Sequence, residues 1–207
     1  LAKTLDLAET GYDLIFNGGA TFSNAVRFDN TGTLNLGNAS GDTFTFNGGL
    51  TESTTGTVTL ASTINSSNDT INFGAVTLGA NTTIDTNATD NSSLGTLLIG
   101  AVTGGNNTLT LSTGDNFANS NMIASGNISG VTTLTLADIG GTAALAGDVD
   151  VTTLTVGNTV ANVQLTGTGS SVANAVSFAN DGTLILGQNG GTQTYNGGLT
   201  TTSVGST

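Results

Sequence analysis

The sequence predicts an all-β chain wound as a parallel β-helix, or β-solenoid, and three observations predict it. Residues 4 to 51 return, in order and with nearly the same spacing, at residues 153 to 200. Short runs in which an apolar residue alternates with Thr recur along the whole length, and clusters of Gly, Asn, Asp and Ser separate them. A long internal repeat marks an architecture in which each unit covers the apolar surface of the next. The chain therefore reads as a single solenoid segment over 1–207. It holds one long repeat and part of the next, with no cap expected at either end, as in a piece of a longer tandem array.

The strands follow in order from the alternating runs. The pairs Leu34 and Leu36, Val58 and Leu60, Val76 and Leu78, Leu109 and Leu111, Leu134 and Leu136, Leu154 and Val156, and Leu184 and Leu186 are each split by one residue. Successive side chains of a strand point to opposite faces, so each pair turns inward while Thr59, Thr77, Thr110, Thr135 and Thr155 turn outward. This is period two and excludes an amphipathic helix. Between the runs, segments such as Gly37-Asn38-Ala39-Ser40-Gly41-Asp42 and Gly104-Gly105-Asn106-Asn107 supply residues that tolerate the positive φ of a sharp corner. The runs recur at roughly 20 to 25 residues, one solenoid coil each. About nine coils, at ~4.8 Å per hydrogen-bonded strand, make a rod of roughly 45 Å. A right-handed parallel β-helix is the expected form, with an antiparallel β-sandwich as the alternative.

The two copies show which positions matter. Asn24-Ala25-Val26, Phe28, Asn30, Gly32-Thr33-Leu34 and Leu36-Gly37 return as Asn174-Ala175-Val176, Phe178, Asn180, Gly182-Thr183-Leu184 and Leu186-Gly187. Phe46-Asn47-Gly48-Gly49-Leu50-Thr51 returns as Tyr195-Asn196-Gly197-Gly198-Leu199-Thr200. The charged residues do not return. Lys3, Asp6, Glu9, Asp13, Arg27, Asp29, Asp42 and Glu52 face Thr152, Thr155, Asn158, Asn162, Ser177, Ala179, Gly191 and Thr201, which predicts an outside position for all of them. The shift of the match from 149 to 150 residues and back falls in polar stretches, as expected of corner loops.

Composition narrows the partners. Two basic residues against 14 acidic ones give a net charge of -12. Nucleic acid is excluded as a partner, because phosphate binding needs clustered Lys and Arg, and an anionic membrane surface is disfavoured likewise. No apolar run approaches the ~20 residues of a membrane-spanning helix. There is no Cys and no His, which removes disulfides and the commonest transition-metal ligands.

Few residues invite a site. Asp148 with Asp150, and Asp85 with Asp90, are the carboxylate pairs that acid–base chemistry could use. Their turn-forming contexts favour solvated corners instead. Calcium is the one metal that all-oxygen ligands could serve, with Asp85, Asn87 and Asp90 as its candidate ligands. The segment lacks the EF-hand ligand order, and a polar loop without metal is the expectation. The Asn-Gly-Gly steps at 17–19, 47–49 and 196–198 precede neither a helix nor a Lys, so they read as corners where a side chain would clash. Outward Thr-x-Thr pairs such as Thr133-Leu134-Thr135 and Thr153-Leu154-Thr155 could bind ice if they stacked in register, but uneven coil lengths are expected to break the array. Asn-x-Ser/Thr tripeptides at Asn65, Asn81 and Asn127 are formal glycosylation acceptors.

The Gly-Thr-Leu-x-Leu-Gly segments, Phe-Asn-Gly-Gly-Leu-Thr at 46–51 and Thr-Val-Thr-Leu at 57–60 give the chain a resemblance to the β-strand-repeat proteins of bacterial surfaces. These are similar to autotransporter passengers and filamentous-haemagglutinin-type adhesins. The resemblance implies a secreted or outer-surface β-solenoid acting as fibre, sheath, surface layer or adhesin stalk. The expected role is structural and not enzymatic, with self-association head to tail or further tandem repeats. The second reading is an adhesin whose partner is a glycan or a host surface, and a polysaccharide-active β-helix enzyme ranks third.

Overall fold

The structure, a computed structural model, describes residues 10–53, 56–88, 94–188 and 190–202. It is all-β, with parallel strands stacked as a β-solenoid of about nine turns. The coils stack strands on three faces, with Ile128–Leu136 and Val149–Val156 each running across two of them. The first face stacks Leu14–Phe16, Leu34–Leu36, Val58–Leu60, Val76–Leu78, Val102–Thr103, the start of Ile128–Leu136, the start of Val149–Val156, Ser171–Val172 and Thr194–Tyr195. The second begins with Ala20–Phe22, Thr43–Phe46, Thr63–Ser66, Thr82–Asp85 and Thr108–Ser112, and continues through the latter halves of those same two long strands. Val176–Phe178 pairs with Leu199–Thr201 further along. The third runs from Val26–Phe28 through Leu50–Glu52, Ile71–Phe73, Leu97–Ile99, Met122–Ala124, Ile139–Leu145 and Val160–Leu165 to Leu184–Leu186. Parallel pairing throughout these stacks rules out the antiparallel sandwich.

Inward residues form one apolar column running from Val26 to Leu184. Leu34, Leu60, Leu109, Leu111, Leu134 and Leu136 have no exposed surface, which bears out the inward pairs read from the alternation. Burying each such side chain stabilises by ~1.5–3 kcal/mol, and only the neighbouring coils can bury it. Near the first described coil the filling is aromatic. Phe22 stacks on Phe46 with ring centroids 5.0 Å apart, and Phe16 meets Phe44 edge-on at 6.0 Å.

Coils differ in length, from 18 residues between Val58 and Val76 to 27 between Thr83 and Thr110. The excess sits in corners while the strands stay in register, because a slip of one residue would turn every apolar side chain outward. The corners use the residue types expected. Gly105 and Asn106 both have positive φ, 57° and 65°. Gly48 and Gly197 have no room for a Cβ, which would lie 2.2 Å from Ala25 N and 2.0 Å from Ala175 N. Each is followed by a glycine with φ near +90°, Gly49 at 84° and Gly198 at 91°.

The two copies of the repeat share several backbone hydrogen bonds. Leu14 N–H donates to Thr33 O as Val163 N–H does to Thr183 O; Gly37 N–H donates to Phe16 O as Gly187 N–H does to Leu165 O. Val26 to Gly49 and Asn47 to Phe22 return as Val176 to Gly198 and Asn196 to Val172. Yet the copies lie on different faces. Leu14–Phe16 is on the first face of the first coil, whereas its equivalent at 163–165 is on the third face, six coils further on. The repeat therefore spans six and two-thirds turns, and each equivalent strand is one face out of phase with its partner.

One outward expectation is overturned. Glu52 is inward, 7% exposed, in the third-face column opposite Phe28. Its Oε2 accepts a hydrogen bond from Gly74 N–H at 2.9 Å, which supplies the carboxylate with a partner at the coil corner. Lys3, Asp6 and Glu9 lie outside the described residues.

Candidate functional site

The polar side chains at the corners serve the backbone. A side chain on one coil accepts a hydrogen bond from an amide about one coil away, where strand pairing has lapsed. Asp13 Oδ1 takes Thr33 N–H at 2.8 Å, Asn121 Oδ1 takes Thr142 N–H at 2.8 Å, and Asn162 Oδ1 takes Thr183 N–H at 2.9 Å. Asn81 takes Thr108 N–H and Asn127 takes Asp148 N–H, so the asparagines of two of the formal glycosylation tripeptides are corner acceptors. Asp13 and Asn162 are equivalents in the repeat. What looks in sequence like a lost charge is one acceptor exchanged for another. Holding the Thr33 amide also lowers the Asp13 pKa below the ordinary carboxylate value.

Asn30 and Asn180, retained between copies, are fully buried. Asn30 Nδ2 donates to Tyr12 O, Gly32 O and Thr33 O, and Asn180 Nδ2 donates to Ala161 O and Thr183 O. They add a side-chain donor to turn carbonyls that also accept backbone amides, Leu14 N–H at Thr33 O, Val163 N–H at Thr183 O and Gly182 N–H at Ala161 O. The signal for all these roles was a polar residue roughly one coil from a Thr or Gly, legible only once the coil length is known.

The carboxylate pairs fare differently from each other. Asp148 is not in a strand with Asp150: it sits in the corner before Val149–Val156, where its Oδ1 accepts Gly169 N–H at 2.7 Å. Asp150 stands in the outward column of the first face, between Ser129 and Ser171. Asp85 is half-buried and its Oδ1 accepts Asn87 N–H at 2.9 Å, the geometry of an Asx turn. Asn87 is buried and bridges to Ser67, while Asp90, the third candidate calcium ligand, lies outside the described residues. Among the described residues no three His, Cys, Asp or Glu gather as a metal site. Arg27 Nε pairs with Asp29 Oδ2 at 2.6 Å on the surface.

The three faces present different outward columns. The first carries Asn35, Thr59, Thr77, Thr103, Ser129, Asp150, Ser171 and Thr194 in continuous register. A groove of about 260 Å³ crosses it beside Gly56, Ala75 and Ala101, with Thr57, Thr77 and Thr103 along its walls. The third face turns apolar at Leu98, Ile123 and Ala144. The second is a column of threonines: Thr43, Thr63, Thr83, Thr110, Thr135 and Thr155 are successive partners, with Thr108, Thr133 and Thr153 alongside. Uneven coil lengths were expected to break this array. They do not, because the corners absorb the difference.

At the last described coils, Leu184, Leu186, Leu199 and Thr201 line an open cavity of about 350 Å³. Leu199 is 37% exposed. Beside them Tyr195 is half-buried, its hydroxyl donating to Gln193 Oε1 at 2.7 Å, and burial pushes its pKa up to about 12.

No protein-family model, curated protein or solved structure matches the chain.

Proposed function

We propose that this chain is a structural segment of a secreted or cell-surface fibrous protein, one that supplies length and stiffness to an extracellular filament, sheath or surface layer. The observation that carries this reading is the repetition of the backbone bonding between the two copies of the sequence, around a single apolar column. Selection that keeps core and corners while exchanging Asp13 for Asn162 preserves a scaffold. It keeps no fixed set of charged groups of the kind catalysis needs. Hydrogen bonds aligned with the axis and stacked apolar rows resist bending, which is what a rod requires. Negatively stained native material should show uniform filaments or sheets containing this chain. Short dispersed particles would remove the reading.

A second reading, an adhesin stalk with a binding face toward a glycan or host surface, is favoured by the second-face threonines. Six in-register hydroxyls and methyls form a neutral column suited to a regular polar surface. Replacing Thr83, Thr110 and Thr135 by Lys should then abolish adhesion to a glycan-coated surface while leaving the circular-dichroism spectrum and unfolding midpoint nearly unchanged. Unchanged adhesion would discard this reading.

A further inference from the structure

The internal repeat makes the chain its own comparison. Coil 34–52 is covered by the coil that follows it, and its inward residues Leu34, Leu36 and Phe46 have no exposed surface, with Leu50 at 2%. The covering coil is residues 58–73. It pairs Val58–Leu60 onto Leu34–Leu36, Thr63–Ser66 onto Thr43–Phe46, and Ile71–Phe73 onto Leu50–Glu52. Backbone bonds join them: Leu34 N–H to Thr57 O, Ala61 N–H to Leu36 O and Leu50 N–H to Thr70 O. The equivalents in the second copy are Leu184, Leu186, Tyr195 and Leu199, the residues beside and around the open cavity of about 350 Å³. Leu36, Phe46 and Leu50 are thus buried in the first copy, whereas in the second Leu186 and Tyr195 are only partly buried and Leu199 is 37% exposed; Leu184, at 3%, stays buried in both.

We propose that the surface formed by Leu184, Leu186, Tyr195 and Leu199 is a docking face for a coil of the kind seen at residues 58–73, belonging to a second copy of this repeat. The incoming Val58–Leu60 equivalent seats on Leu184–Leu186 on the third face, and the Ile71–Phe73 equivalent seats on Leu199–Thr201 on the second. Each added copy therefore continues the same axis one third of a turn out of phase with the last. A surface feature such as the threonine column moves to a new face with every copy and returns to its starting face only after three repeats. The array is a rod that shows all three of its chemistries to every side. This deepens the scaffold reading, on which it rests for its biological setting.

The test is a tandem protein in which residues 53–207 follow Thr201, compared with the single chain by hydrogen–deuterium exchange. Docking predicts that the amides of Tyr195 and Leu199–Thr201 exchange ~100-fold more slowly in the tandem protein, because a covered strand opens only with its neighbours. It also predicts one cooperative unfolding transition. Leu199→Asp in the tandem protein should abolish that protection, while in the single chain, where Leu199 is partly exposed, it should leave the midpoint nearly unchanged. A second tandem protein, with residues 34–207 following Thr201, presents the wrong coil to the same face and should leave the junction amides fast. Equal protection in both tandem proteins overturns the preference for coil 58–73, and fast exchange in both, with two transitions, overturns docking. A protected junction with no filaments in native material would keep the docking face and remove the scaffold reading.

Discussion

At Asp13 and Asn162 the same bond is made by a carboxylate in one copy and an amide in the other. Asp13→Asn should therefore be tolerated, whereas Asp13→Ala should lower the unfolding midpoint by leaving the Thr33 amide without its side-chain acceptor. The Asp13 pKa lies lower folded than unfolded, so its contribution is complete above the ordinary carboxylate range and is lost as pH falls through the depressed value. Acid titration of the Asp13→Asn variant, followed by circular dichroism, should show a shallower loss of stability than the parent. Asn180→Ala should cost about 1–3 kcal/mol in urea denaturation, since Ala161 O and Thr183 O lose a buried donor. Glycines divide by their surroundings. Gly48→Ala drives a Cβ into Ala25 and should destabilise by about 1–3 kcal/mol. Gly18→Ala meets nothing within 4 Å and should be neutral or stabilising by up to about 1 kcal/mol.

At the scale of strands and corners, register is rigid and length is not. One residue inserted into the corner at Gly104–Asn107 should be absorbed with little loss of stability, as the observed span of coil lengths shows. The same insertion between Thr110 and Leu111 reverses the inward and outward sets of that strand, and urea denaturation should show the loss of most of the stability of its coil. Leu134→Ala, in a strand covered on both sides, should cost about 2–5 kcal/mol. Tyr195 gives the last coils a pH signature. Its folded pKa of about 12 exceeds the ordinary 10.0, so the stability it contributes is complete below pH 10 and is lost as pH rises toward 12. Phenolate absorbance should rise at higher pH for Tyr195 than for a denatured control, and the urea unfolding midpoint should fall over the same interval.

At the scale of the whole rod, each coil touches only its neighbours, so stability is a sum of nearest-neighbour contacts. Native-state hydrogen exchange should be slowest in the strands between Val58 and Leu165 and faster toward Leu14 and Leu199. Spin labels at Asn35→Cys and Ile185→Cys, equivalent positions in the repeat, sit on the outward columns of the first and third faces. Their measured distance should match a path across a corner as well as along the axis. A value equal to the axial rise alone would contradict the third-of-a-turn offset.

Alternation along a strand is a local property, and the sequence alone determined it: the inward pairs from Leu34 and Leu36 to Leu154 and Val156, the outward threonines and the glycine corners all follow from a period of two and from where a Cβ fits. It determined the recurrence of coils too, because apolar rows that no single coil can bury must be covered by the next. Which residue lies above which was decided only by the tertiary structure, since that depends on corner lengths summed around each turn. For this reason the unbroken threonine column, the inward Glu52, the exchange of Asp13 for Asn162 and the one-face offset of the long repeat could not be read from the chain. A sequence repeat counts residues, whereas a solenoid counts turns, and nothing in the backbone obliges the two to close together.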